Sequence, residues 1–132
     1  MKLGFLTSIL QDYDFEQVMD FAGRQGFQCV ELACWPCGKA ERRYAGVSHL
    51  DAAALDTEKE AYVKQVCREK KVEISSLAFY PNTLDPDLEK RSANIAHLRR
   101  LIDAAHRLGI NMVSTFIGRD QNQPPGFRVH RC

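Results

Sequence analysis

The chain has 132 residues, 45% of them hydrophobic, which is enough to bury the core of one ordinary domain and argues against disorder. Its 18 Lys and Arg nearly cancel its 17 Asp and Glu, so no electrostatic footprint marks nucleic acid or an anionic membrane, and the expected partner is a small molecule or another protein. No apolar run approaches the ~20 residues of a membrane helix, and the start Met1-Lys2-Leu3-Gly4-Phe5-Leu6 is too soon interrupted for a secretory signal. Five scattered cysteines suit a reducing compartment, so reduced thiols and a cytoplasmic location are expected.

Lys2 to Leu6 predicts a first strand, followed by a helix that Asp14 caps with Gln17 as its capping-box partner. In that helix Phe15, Val18, Met19 and Ala22 form one apolar stripe, and Gly26 stands where a left-handed C-terminal cap is wanted. The next apolar run, Cys29-Val30-Glu31-Leu32, predicts the second strand. Alternation puts Val30 and Leu32 on one face and Cys29, Glu31 and Ala33 on the other. With Val30 and Leu32 toward covering helices, Glu31 points to the interior of the sheet, where a charge is costly unless it is paired. It then serves a substrate or a proton transfer, or forms half of an ion pair with Lys or Arg.

Cys34-Trp35-Pro36-Cys37 follows this strand, and a C-x-x-C at a strand end suits thiol exchange. A long charged loop through Arg42, Arg43 and Tyr44 takes the place of the immediate helix such redox sites use. That loop is either solvated or closes over a phosphate or sugar. Beyond this pair, isolated Cys29, Cys67 and Cys132 and four scattered histidines offer no zinc spacing. His49 precedes the second helix.

That helix is predicted from about Asp56 to Lys70, with Tyr62, Val63, Val66 and Cys67 on its buried face. Lys71 holds the cap position where glycine is easier, at ~1 kcal/mol if the backbone there is left-handed. Val72-Glu73-Ile74-Ser75 opens the third strand, which runs out to Tyr80-Pro81-Asn82. A third helix is predicted from near Pro86-Asp87, with Ile95, Leu98, Ile102 and Ala105 as its apolar face and Gly109 at its end; His97 and His106 read as surface or partly buried groups. Met112-Val113-Ser114-Thr115 predicts the fourth strand, and Phe116-Ile117-Gly118 follows it. After Gly118 the helical period is gone and Pro124-Pro125-Gly126 breaks the chain, so residues 121–132 read as an irregular tail where a fourth helix is wanted.

The order β-α-β-α-β-α-β predicts a parallel α/β sheet with right-handed crossovers. Such sheets bind ligands beyond the carboxyl ends of their strands. Three of the four ends carry an aromatic ring, Trp35, Tyr80 or Phe116, which either caps a core or packs on an apolar sugar face.

Taken together, Met1 to Leu6, Cys29 to Pro36 with the loop to Gly46, Glu73 to Asn82, and Thr115 to Asp120 resemble the sugar phosphate isomerase/epimerase (xylose isomerase-like) family. The resemblance implies that residues 1–120 are the N-terminal half of a (β/α)₈ TIM barrel and that the chain is truncated in the tail. It implies metal-dependent proton-transfer isomerisation of a small sugar or sugar phosphate, with a divalent metal (Mn, Mg, Zn or Co) held by Glu, Asp, His and Glu of later strands. Glu31, Trp35, Tyr80 and Phe116 match positions that line or roof the substrate pocket. The metal ligands and catalytic base fall outside the part carried over, so no bound metal and no activity are expected of this chain alone. Two other readings stay open: a non-catalytic half-barrel that binds a ligand or protein, and a thiol redox protein using Cys34 and Cys37. Bare edges on the first and fourth strands lead us to expect self-association or poor stability.

Overall fold

The computed structural model describes residues 1–36 and 45–119. The loop residues Cys37, Arg42, Arg43 and Tyr44 and the expected tail lie outside the described residues.

The chain alternates strand and helix: β1 (Gly4–Leu6), α1 (Phe15–Arg24), β2 (Cys29–Ala33), α2 (Thr57–Lys70), β3 (Glu73–Ala78), α3 (Leu88–Leu108) and β4 (Val113–Ser114). The four strands form one parallel sheet in the order β1-β2-β3-β4. When spatial order follows chain order and every crossover has the same hand, all helices fall on one face of the sheet. This winding curls a sheet toward a barrel, whereas doubly wound sheets reverse their order midway.

Local chemistry sets each boundary. Asp14 and Gln17 form the predicted reciprocal capping box, with bonds of 2.8 and 2.9 Å. Asp56 and Asp87 cap α2 and α3 through the side chain alone, accepting from the N–H of Lys59 and of Glu89 and Lys90. Gly26 and Gly109 take the left-handed backbone that ends α1 and α3. At the end of α2 that conformation falls to Lys71, with φ of 57°, the strained cap anticipated from its residue type.

Val30, Leu32, Leu77 and Phe79 on the helix side of the sheet join Met19, Ala22, Val63, Val66, Leu101, Ala104 and Leu108 in one buried core. Two helix faces differ from expectation. Tyr62 is 44% exposed, its hydroxyl donating to Glu16 and its ring edge-on to Phe15. In α3 the buried face runs through His97, Leu101, Ala104, Ala105 and Leu108, leaving Ile102 52% exposed. Of the predicted stripe, Ala105 is buried and Leu98 packs against the core, whereas Ile102 turns outward because close approach to the sheet selects Leu101 and the small Ala104. His97 is likewise buried, not superficial: its Nε2 donates to the Cys34 carbonyl at 2.8 Å, and its ring packs on Phe79. Among the described residues, no helix is long and apolar enough to cross a membrane.

Candidate functional site

The face of the sheet turned away from the helices carries the polar side chains. Glu31 pairs in register with Leu6 on one side and Ser76 on the other, while Ala33, Ala78 and Ser114 form the next row across β2, β3 and β4. A bulge makes this register. Pairing passes from Val30–Ile74 to Glu31–Ser76, so Ser75 is the extra residue, and its hydroxyl donates to the Val30 carbonyl at 3.0 Å. Without that extra residue Ser76 and Leu77 exchange faces. With it, Ile74, Leu77 and Phe79 all reach the core and Ser76 stands beside Glu31.

The Glu31 carboxylate gathers three hydroxyl donors. Ser76 Oγ donates to Oε2 at 2.8 Å, Ser114 Oγ donates to the same oxygen at 2.9 Å, and the Tyr80 hydroxyl donates to Oε1. One residue of β2 thus ties together β3, β4 and the loop beyond β3. The ion-pair alternative fails, since among the described residues no Lys or Arg forms a salt bridge with Glu31. Hydroxyl donors satisfy the carboxylate instead. Tyr80 is half-buried, and its phenol is pushed up to about 12, first by desolvation and then by the hydrogen bond and negative charge of Glu31. The phenol therefore stays protonated and donating at neutral pH.

Phe116, at the end of β4, lays its ring 4.8 Å from that of Tyr80 at a 42° tilt and is 60% exposed. Asn82 joins the loops that carry the two rings. Its Oδ1 accepts from the Arg119 N–H at 2.8 Å and its Nδ2 donates to the Arg119 carbonyl at 2.9 Å, so one side chain clasps the β3 and β4 loops together. Gly118 makes the clasp fit: its φ is 100°, and a Cβ there comes within 2.3 Å of Asn82 Oδ1.

Glu31, Tyr80 and Phe116 thus converge, whereas Trp35 belongs to a second cluster. Its ring meets Phe79 edge-on at 5.0 Å, above the core between sheet and helices. At the β1 end, buried Thr7 accepts from the Ala33 N–H at 2.9 Å and donates to His49 Nδ1 at 2.9 Å, while His49 Nε2 donates to the Leu10 carbonyl at 3.2 Å. Burial lowers the His49 pKa, partly offset by the Leu10 and Tyr13 carbonyls and by Asp14, so the imidazole is neutral and acts as a brace.

Cys34 is fully buried, its thiol donates to the Leu32 carbonyl, and burial pushes its pKa far up. This is the reverse of an activated thiol and removes the support for redox exchange at Cys34; Cys37 lies outside the described residues. Among the described residues no three His, Cys, Asp or Glu side chains converge. The lone Glu31 carboxylate, its oxygens already engaged by hydroxyls, does not fit a divalent-metal centre by itself.

Ser76, Ser114 and Asn82 were not singled out from the sequence. The available signal was a hydroxyl residue in each of β3 and β4, Ser76 and Ser114, at positions that alternation alone did not bring to one face.

Comparison with known proteins matches residues 19–131 to the xylose isomerase-like TIM barrel family. The probable 3-DHS dehydratase AsbF from Bacillus anthracis, involved in petrobactin synthesis, aligns with a TM-score of 0.56 at 21% identity, covering 88% of this chain and 38% of that one. A xylose isomerase-like TIM barrel protein from Mycobacterium smegmatis in complex with magnesium aligns with a TM-score of 0.59 at 18% identity, covering 89% of this chain and 39% of that one. Identities this low speak for the fold alone, and the chain spans less than two fifths of each neighbour. No curated protein matches it. The singly wound parallel sheet, helices on one face and polar groups on the other, agrees with the family match, and the chain belongs to the xylose isomerase-like TIM barrel family.

Proposed function

We propose that this chain supplies a substrate-binding wall of a (β/α)₈ enzyme that isomerises or epimerises a small sugar or sugar phosphate by moving a proton between adjacent carbons. The observation that carries the proposal is the Glu31 carboxylate, oriented by Ser76, Ser114 and Tyr80 on the sheet face opposite the helices. A carboxylate so held is preorganised to position a ligand rather than to reorganise around it. Tyr80 and Phe116 offer ring faces to the apolar side of a sugar.

Proton transfer of this class needs a base beside a polarised carbonyl or hydroxyl. No described residue is assigned that role, nor the binding of a divalent metal; both belong, in this proposal, to further parts of a whole barrel. The purified chain is expected to show no isomerase turnover with Mg²⁺ or Mn²⁺ on a panel of aldoses and ketoses. It is expected to bind sugars weakly, seen as saturable NMR shifts of the amides of Glu31, Tyr80, Ser114 and Phe116. Turnover by the chain alone contradicts the division of labour, and a panel that moves no amide removes the carbohydrate reading.

A second reading, a half-barrel that binds without catalysing, draws on the exposed Leu3 and Ile9 near β1 and the exposed Met112, Phe116 and Ile117 near β4. It expects ligand binding that survives chelation of divalent metal. Self-association through these edges is part of the proposal, and concentration-independent sedimentation as a folded monomer counts against it. A cytoplasmic setting suits the free thiols of Cys29, Cys34 and Cys67.

A further inference from the structure

The Glu31 cluster also bears on which end of a ligand meets it, an inference that rests on the carbohydrate reading and deepens it. An ionised carboxylate offers about four lone-pair positions and no donor. Three are engaged here: Ser76 and Ser114 occupy Oε2, and Tyr80 occupies one side of Oε1. Among the described residues, a position on Oε1 is left for one further donor. The three hydroxyls have each committed their single proton to Glu31, so toward a ligand they too present only lone pairs. Every polar atom of the cluster is therefore an acceptor, and no Lys or Arg among the described residues forms a salt bridge with Glu31 to offset its charge.

A phosphate or carboxylate group is itself an acceptor. Placed here it finds no proton to bond and meets a like charge across a half-buried site. A hydroxyl or an ammonium group has the complementary chemistry, and the carbon skeleton that bears it can lie on the tilted Tyr80 and Phe116 rings. We infer that Glu31, Ser76, Ser114 and Tyr80 form a specificity site for the donor-bearing, non-anionic end of the ligand, and that any anionic group of the ligand is held away from β2, β3 and β4. Ser76 and Ser114 are then positioning residues, acting through Glu31.

The test is an NMR titration of the whole chain with three probes: fructose as the hydroxyl donor, glucosamine as the ammonium donor, and inorganic phosphate as the bare anion. Fructose or glucosamine is expected to shift the Glu31, Ser76 and Ser114 amides saturably, and their relative affinities tell which donor the site prefers. Phosphate is expected to leave those amides in place. Glu31→Gln, in a chain whose spectrum remains dispersed, is expected to weaken the sugar by about tenfold, the equivalent of one hydrogen bond to a charged group. Tyr80→Phe keeps the ring but removes one of the three hydroxyls that orient Glu31, so it is expected to weaken the sugar by less than Glu31→Gln does and to leave phosphate without effect on these amides. Phosphate saturating the same amides, or Glu31→Gln binding sugar as tightly as the unaltered chain, overturns the inference. Sugar that binds only at amides away from this cluster overturns it while leaving the carbohydrate reading intact. Sugars and phosphate that bind nowhere defeat both.

Discussion

The two faces of this sheet are built from the same strands, yet they differ in almost every physical respect. On the helix side, Val30, Leu32, Leu77 and Phe79 are buried against three helices in one continuous core. On the other side, residues one position away are Glu31, Ser76, Ser114 and Tyr80, half-buried or polar and joined by hydrogen bonds. The first face stabilises the fold by removing apolar area from water. The second satisfies a carboxylate with directional bonds. Period-two alternation thus divides a strand into an apolar half and a polar half, and a single bulge at Ser75 keeps that division aligned between β2 and β3.

Substitution on each face sharpens the contrast. Leu32→Ala is expected to cost about 2–5 kcal/mol in urea unfolding, since it leaves a cavity at a fully buried site. Ser76→Ala, on the opposite face of the neighbouring strand, is expected to cost about 1 kcal/mol, because Ser114 and Tyr80 continue to hold Glu31. Equal losses at the two positions break the comparison. Lys71→Gly relieves a left-handed cap at the foot of β3 without touching either face, and a gain of up to about 1 kcal/mol is expected in the same assay.

The His49 brace, bonded to Thr7 and the Leu10 carbonyl just beyond β1, gives a pH signature. Its folded-state pKa lies below the ordinary 6.5, so the unfolded chain binds the proton more readily. The stability it contributes is complete above about pH 6.5 and declines as pH falls from there toward its lower folded value. Unfolding midpoints measured from neutral pH down to the carboxylate range are expected to show this decline, and His49→Gln is expected to flatten it.

Much of the fold was legible in the sequence because it rests on local rules. The capping box at Asp14, the glycine caps and the inward alternation of Glu31 each follow from a few neighbouring residues. The bulge was written there too: apolar residues at 74, 77 and 79 break strict alternation, and that irregularity requires one extra residue between Ile74 and Leu77. The partners of Glu31 were not legible, since the bonds to Ser76 and Ser114 span 45 and 83 residues and depend on register. Nor was the separation of Trp35 from Tyr80 and Phe116, because all three occupy strand ends and only the fold tells which side of the sheet each ring covers. His97 was misplaced for a related reason, its burial being set by a carbonyl 63 positions away.

The account turns on a carboxylate and a phenol that meet on the open face, and titration of Tyr80 tests that meeting most directly. Followed by tyrosinate absorbance, with Tyr80→Phe to assign the signal, the phenol is expected to titrate near 12 in the folded chain. In Glu31→Gln it is expected to fall part of the way toward 10, because the charge and the accepted bond are gone while desolvation persists. A Tyr80 that titrates at the same pH with and without the Glu31 charge contradicts the site.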